Sequence, residues 1–385
     1  MLTGLQVLEN TDWSRLLHAY DRATDTPDQL RALLSEDPEL RRRAMQHLWS
    51  AIMHQGTPWT ATGPVSLVIA GLLADERIDH GESLRVPLLS FLTCVAEVAE
   101  QADADRVELE RLAQFDLEPF LDADDDEALY ENEEAADALN ARSVLGCLEV
   151  SPVLMDVMID ALDHADPVAR SHAAMGAVAL AKTSRLRHRS GELERRLLAL
   201  TESAKDTDER SALVLALGDL GLTPTMFMTD PSPAVRMCAA LAPALAANEE
   251  AIDELIRTLE RDAASIDGWF AEKPPQFEMR PRFAVVARLV RQVTDFDRLV
   301  DAAISVVETT DKRRVDYEWG PLLAAAFPAG NGNIENQSQH RFLSALVAKS
   351  DLWDPKFGNS WKWFKKTGLP NDRDECARLV EASLS

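Results

Sequence analysis

A short pattern recurs along the chain and limits the folds that it can adopt. An acidic residue, which is Asp166, Asp206 or Asp230, comes four to six positions before an Arg, and small and apolar residues follow. Such self-similarity is typical of stacked helical repeats, in which each helix pair buries its apolar face only against its neighbours. The pattern therefore predicts an all-α fold, a right-handed α-α superhelix of antiparallel helix pairs with no sheet larger than a short hairpin.

The most complete copy of the pattern resembles the first helix of a HEAT repeat, and it consists of Asp230, Val235, Arg236 and Ala239. Pro243 stands where that helix is often kinked in the family, because a proline inside a helix removes a backbone hydrogen bond. The resemblance covers residues 166–262 and, more loosely, about 37 to 350. It implies a HEAT-like (armadillo-like) solenoid but no particular activity. Residues 54–64 and 351–366 also resemble stretches of uncharacterised bacterial HEAT-repeat proteins.

Two segments differ from the repeats in composition. Residues 97–137 contain 17 acidic residues and two Arg, and residues 351–385 contain three of the eight Trp together with four Lys. We predict a solenoid at 1–350 with an acidic insertion near 97–137, and a C-terminal aromatic and basic capping segment at 351–385. A surface for nucleic acid or phosphate is the alternative interpretation of this last segment.

The acidic insertion partly follows a calcium-binding loop. Asp122, Asp124, Asp126 and Glu133 occupy the first, third, fifth and twelfth positions of an EF-hand loop. Glu127, however, stands where the sharp turn of such a loop requires glycine. A solvated acidic loop or an acidic interaction patch is therefore the preferred interpretation, and calcium binding is the minor one.

The net charge of −25 is the strongest global feature. It repels nucleic acid and anionic membranes, and it favours encounter with a protein that has a basic surface. We predict such a protein partner. The predicted partner-binding residues are the acids Asp122, Asp124, Asp125, Asp126, Glu250, Asp253 and Glu254, of which the last three are expected on an exposed helix side, and the aromatic residues Trp59, Trp269 and Trp361.

The sequence also favours a cytoplasmic protein. The N-terminal residues have neither a basic region nor an apolar region typical of a signal peptide, and the longest uncharged apolar run, about 63–74, is too short to cross a bilayer. The four cysteines form no CxxC pair, so we expect reduced thiols in the core rather than a metal site.

Catalytic motifs are missing from the sequence, which contains no HExxH, P-loop, GxSxG or strand-borne GxGxxG motif. The eight histidines are dispersed. His18 is expected on a helix at 11–21, while His47 and His54 share a helix face two turns apart, which is too distant for them to chelate one ion alone. We therefore predict no catalytic residue, no metal and no cofactor.

The leading functional hypothesis is a non-enzymatic protein-binding scaffold. One specific form is an immunity or inhibitor protein that neutralises a basic toxin, such as a nuclease, by occupying its cationic groove. The alternative is a HEAT-like enzyme, of the DNA glycosylase or cofactor-lyase type, with a site on the concave face. The net charge of −25 argues against a glycosylase.

Overall fold

The computed structural model describes residues 1–122, 127–353 and 359–383. Helices dominate these residues, and their one sheet is a hairpin in which β1, Met53–His54, pairs antiparallel with β2, Thr57–Pro58. The predicted all-α class is confirmed. The chain divides into two compact units, unit 1 at Met1–Ser203 and unit 2 at Ala204–Ser385. The domain boundaries drawn from the sequence remain a prediction.

The helices of unit 1 are α1 Leu5–Asn10, α2 Thr26–Ala32, α3 Pro38–His47, α4 Thr62–Leu72, α5 Arg85–Ala104, α6 Arg106–Leu112, α7 Glu118–Leu121, α8 Glu127–Glu131, α9 Glu133–Ala161, α10 Pro167–Lys182 and α11 Ser190–Ser203. The helices of unit 2 are α12 Thr207–Asp219, α13 Pro233–Ala240, α14 Glu249–Asp262, α15 Pro281–Gln292, α16 Val300–Thr309, α17 Trp319–Ala326, α18 Gln337–Ala348, α19 Ser360–Thr367 and α20 Arg373–Ala382.

Two of the three repeated acids of the sequence pattern, Asp166 and Asp206, work as helix caps. The side chain of Asp166 accepts a hydrogen bond from the N–H of Val168 over 2.9 Å, and Asp206 accepts from Asp208 and Glu209 over 2.9 Å. Such caps satisfy N–H groups that the first turn of a helix leaves without partners. After the third acid, Arg236 folds back and donates to the carbonyls of Asp230 and Pro231 over 2.8 and 3.2 Å. Arg210 instead pairs with the carboxylate of Asp230 over 3.0 Å.

The central element of unit 1 is α9, which packs against α4, α5, α6 and α10. A proline inside a helix often ends or kinks it, but α9 continues through Pro152. Pro152 has no N–H for the carbonyl of Leu148, and the hydroxyl of Ser151 donates to that carbonyl instead, over 2.6 Å. The helix continues because this side chain replaces the missing backbone donor.

The prediction of a helix at 11–21 is wrong. α1 ends at Asn10, and a 3-10 turn at Trp13–Arg15 precedes extended backbone. This backbone bonds to a distant part of the chain, since Ala19 N–H donates to the Ala51 carbonyl over 3.0 Å and Leu17 N–H donates to the Thr60 hydroxyl over 2.8 Å. Tertiary pairing therefore replaces the intrahelical bonds that the apolar spacing predicted.

Within unit 2 the helices pack in two alternating sets. α14 packs on α16, α16 on α18, and α18 on α20, while α15 packs on α17 and α17 on α19. The two sets also contact each other, through α14 with α15 and α16 with α17. Each helix thus buries its apolar face against helices that are near it in the sequence.

The described helices include none that is both long and apolar enough to cross a membrane. All four cysteines are free, as predicted; three are buried and Cys94 is partly buried. Burial raises the pKa of the Cys147 thiol to about 12 and is the largest cause that raises the pKa of Cys94 to about 11. These thiols are therefore protonated and unreactive at neutral pH.

Candidate functional site

The structure describes only part of the acidic insertion. Asp122 is exposed and lies 3.1 Å from the guanidinium of Arg15, which also pairs with Glu118. The predicted residues Asp124, Asp125 and Asp126 lie outside the described residues. The calcium loop and the role of these three acids in partner binding therefore stay predictions.

The three predicted acids on α14 do not share one exposed side. Glu250 and Asp253 are exposed, and Asp253 lies 3.0 Å from Arg298. The prediction of an exposed side chain is wrong for Glu254, because this residue is only 7% exposed. Its carboxylate lies 2.8 Å from Arg236 and 2.9 Å from Arg257, so it links α13 to α14 inside the repeat.

The three predicted aromatic residues have different environments. Trp59 is partly buried against a cluster that includes Leu17 and Leu139, and Trp269 is also partly buried. Trp361 is 53% exposed, and the ammonium of Lys362 lies 5.8 Å from the centre of its ring. Trp361 is therefore the most accessible of the three for a partner.

Four exposed acids lie where α8 ends and α9 begins, and we call Glu131, Glu133, Glu134 and Asp137 the acidic edge. Asn132 caps α9 by accepting from the N–H of Ala135 over 2.9 Å, which leaves all four carboxylates free for other contacts. None of them has an ion pair within the part of the chain that the structure describes. The sequence indicated that this region is acidic, but it could not show which of its acids have no ion-pair partner.

A second group of polar side chains, which we call the histidine cluster, consists of His18, Asp25 and His47. His18 lies in the extended segment that follows α1, Asp25 ends a 3-10 turn at Ala23–Asp25, and His47 is the last residue of α3. Three separate segments of unit 1 thus bring two imidazoles and one carboxylate together.

The distances within the histidine cluster are short. Nε2 of His18 lies 3.0 Å from Oδ1 of Asp25, and Nδ1 of His47 lies 3.9 Å from Oδ2 of the same carboxylate. The two imidazole rings meet edge to face with their centres 5.4 Å apart. One potential ligand atom from each residue lies within 4.8 Å of the other two.

The outer nitrogens of both rings also have partners. Nδ1 of His18 accepts hydrogen bonds from the N–H groups of Tyr20 and Asp21, each over 3.2 Å. Nε2 of His47 is bonded to the hydroxyl of Thr26 over 3.0 Å. These contacts fix the orientation of both rings.

The histidine cluster is buried on one side and open on the other. The side chains of His18 and His47 are 5% and 10% exposed, whereas that of Asp25 is 57% exposed. Burial lowers the pKa of His47 and outweighs the nearby carboxylate of Asp25, which raises it. His47 is therefore neutral at neutral pH and retains a lone pair on one ring nitrogen.

Two imidazoles and a carboxylate form a ligand set suited to a transition metal. The sequence analysis missed this set because it compared His47 only with His54 and assigned His18 to a helix. Spacing alone could not have found it, since His18 and His47 are 29 positions apart and meet through tertiary packing.

Comparisons of the chain with known protein families, with curated proteins and with solved structures find no match.

Proposed function

We propose that the chain is a non-enzymatic, HEAT-like repeat scaffold that binds a protein with a basic surface. The observation that carries this proposal is the uneven distribution of charge. Unit 1 has 37 Asp and Glu against 18 Lys and Arg, a net charge of −19. A surface with this charge attracts cationic partners over long distances and repels nucleic acid.

The HEAT-like part of the proposal is supported by local contacts. The acidic caps at Asp166 and Asp206 repeat one device along the chain, and the helices of unit 2 pack in two alternating sets. Stacks of this kind curve into a superhelix when each pair is rotated slightly on the last. A right-handed superhelix of antiparallel pairs is the arrangement that we propose.

The acidic edge is the part of unit 1 that we propose contacts the partner first. Its four carboxylates are exposed and have no ion pair among the described residues, so a basic side chain can bind them without breaking an existing contact. Charge complementarity of this sort increases the association rate and the specificity more than the intrinsic affinity. Asp122, which is held by Arg15, is expected to contribute less.

The specific role that fits these properties is that of an immunity or inhibitor protein. A basic toxin, for instance a nuclease, needs a cationic groove for its substrate, and an acidic surface of a helical scaffold can occupy that groove. We place this role in the cytoplasm, where the four free cysteines stay reduced.

The experiment uses the full chain to capture a partner from its native host, and then measures association kinetics with that partner. The test variant is E131Q/E133Q/E134Q/D137N. We expect association to slow by at least about 10-fold at low salt, because electrostatic steering accelerates encounter by about 10- to 1,000-fold. For the unchanged protein, raising the salt should produce a similar loss, because salt screens exposed charges.

The matched control is E260Q/E272Q/E278Q/E381Q, which removes four charges from exposed residues of unit 2 that have no ion pair among the described residues. It should leave the association rate nearly unchanged. If both variants and high salt leave the rate unchanged, electrostatic capture is wrong. The exposed Trp361 then becomes the first residue to replace.

A further inference from the structure

We propose that His18, Asp25 and His47 form a binding site for a divalent transition-metal ion, with Zn²⁺ as the probe. This proposal is independent of the scaffold function, and it concerns residues for which the sequence predicted no metal. It rests on the geometry of the histidine cluster.

A gap of 3.9 Å separates Nδ1 of His47 from Oδ2 of Asp25. The hydroxyl of Thr26 lies 3.5 Å from Oδ1 of Asp25 as a donor and 3.0 Å from Nε2 of His47. In the tautomer in which the Nε2–H of His47 donates to this hydroxyl, Nδ1 of that ring is left with a lone pair. This lone pair faces Oδ2 of Asp25 at 3.9 Å, which is too long for a hydrogen bond. A cation between the two atoms would bind both.

Both histidines direct a ring nitrogen at the carboxylate of Asp25. Metal-binding histidines usually donate their other ring N–H to a fixed partner, and the His47–Thr26 contact provides one. Nε2 of His18 points to the same carboxylate at 3.0 Å. A zinc ion with two imidazoles and one carboxylate retains one position for water, and the exposed side of Asp25 leaves that position open to solvent.

The hydrogen bonds of His18 indicate which of its ring nitrogens carries the proton. Since Nδ1 of His18 accepts from the N–H groups of Tyr20 and Asp21, Nε2 carries the proton and donates it to Asp25. A metal ion needs a lone pair on Nε2, so on metal binding the proton of His18 moves to Nδ1, which gives up its two backbone hydrogen bonds. This exchange releases no net proton. Because protons compete with a metal ion for imidazole and carboxylate lone pairs as the pH falls, we expect metal affinity to increase as the pH rises.

The ligand types also select the metal. Imidazole nitrogens suit Zn²⁺, Cu²⁺, Ni²⁺ and iron, whereas Ca²⁺ and Mg²⁺ bind mainly to oxygen. The acidic insertion contains no His or Cys and offers oxygen ligands, so its calcium hypothesis and the histidine cluster differ in metal preference as well as in location.

The test is a calorimetric titration with Zn²⁺. It uses the full chain after a chelator has removed any bound metal. We expect about one Zn²⁺ per chain at this site, with a Kd that decreases as the pH rises. Asp25→Asn and His47→Gln should each raise the Kd by at least about 10-fold, because loss of even an outer-shell partner costs about 10- to 100-fold. Co²⁺ bound in place of Zn²⁺ should show visible absorption bands that these variants lose.

The matched control is His188→Gln, which changes an exposed histidine of unit 1 outside the cluster. It should bind Zn²⁺ like the unchanged protein. Helical circular dichroism of each variant checks the fold, and Asp25→Asn is the key variant because it changes only an exposed carboxylate. No binding at millimolar Zn²⁺, or equal loss in His188→Gln and His47→Gln, would overturn the proposal.

Discussion

The two units use their acidic side chains differently. Unit 1 has a net charge of −19, whereas unit 2 has 28 acidic residues against 22 basic ones, a net charge of −6. The described part of unit 2 has four buried carboxylates, those of Glu209, Asp230, Glu254 and Glu318. The last three pair with Arg210, Arg236 and Arg282, respectively. Among the described residues of unit 1 no carboxylate is buried, and the acidic edge is exposed.

Acidic residues therefore have two different roles in this protein, which the net charge of −25 does not distinguish. A buried carboxylate that loses its partner becomes an uncompensated charge in the core, so its replacement affects folding. An exposed carboxylate contributes little to folding but remains available to a partner. Replacing the buried acids of unit 2 should therefore change stability, and replacing the exposed acids of the acidic edge in unit 1 should change binding.

The largest expected effect is that of Glu318→Ala. Glu318 is fully buried, lies 2.6 Å from Nε of Arg282 and accepts from the hydroxyl of Thr310. Its removal leaves the buried Arg282 without its carboxylate, and we expect a loss of about 3–5 kcal/mol in the free energy of unfolding. Urea unfolding followed by circular dichroism measures this loss.

The double variant Arg282→Met with Glu318→Leu tests the reason for that loss. Apolar side chains of similar volume avoid the buried charge, so the double variant should be more stable than Glu318→Ala alone. If the two variants are equally unstable, packing at this position matters more than the ion pair.

A smaller effect is expected in α9 of unit 1, where an uncharged group stabilises the fold. Ser151→Ala removes the hydroxyl that donates to the Leu148 carbonyl over 2.6 Å. This buried carbonyl then lacks a donor, and we expect a loss of about 1 kcal/mol in the same unfolding measurement. Adding Pro152→Ala should recover stability, because residue 152 then supplies a backbone N–H to that carbonyl. Failure of this recovery would mean that the serine acts in another way.

The stability of unit 1 should also depend on pH. Burial lowers the pKa of His47 and of His172, whereas both groups have ordinary values in the unfolded chain. As the pH falls below about 6.5, the unfolded state binds protons that the folded state does not, so the free energy of unfolding falls. Urea unfolding above and below this pH measures the change. His172→Gln should weaken the dependence, whereas the exposed His188→Gln should preserve it.

The sequence predicts the helices of this chain where their cause is local. An Asp cap acts within one turn, so the starts of α10 and α12 could be found from residue types alone. The 11–21 segment could not, since its backbone bonds to residues near Ala51 and Thr60. The continuity of α9 depends on one serine side chain, and no pattern of spacing contains that information.

The candidate sites were less predictable for the same reason. Glu254 has the spacing of an exposed residue on α14, but Arg236 on α13 reaches its carboxylate and the residue is buried. The histidine cluster joins three segments that only the folded chain brings together. Charge composition does predict that unit 1 has an acidic surface, because most charged side chains lie on the surface of any fold.

The smallest expected effect on stability is that of E131Q/E133Q/E134Q/D137N. We expect the free energy of unfolding to change by no more than about 0.5 kcal/mol, because these acids are exposed and have no ion pair among the described residues. Removing four like charges reduces repulsion in unit 1, while losing Glu133 and Glu134 weakens the interaction with the positive end of the α9 dipole, so the two effects oppose each other. Urea unfolding at low and high salt can separate these two effects.

Salt should stabilise the unchanged protein more than the variant, because it screens the self-repulsion of a unit with a net charge of −19. A loss as large as that of Glu318→Ala would mean that the acidic edge supports the fold, and the contrast between the two units would be wrong.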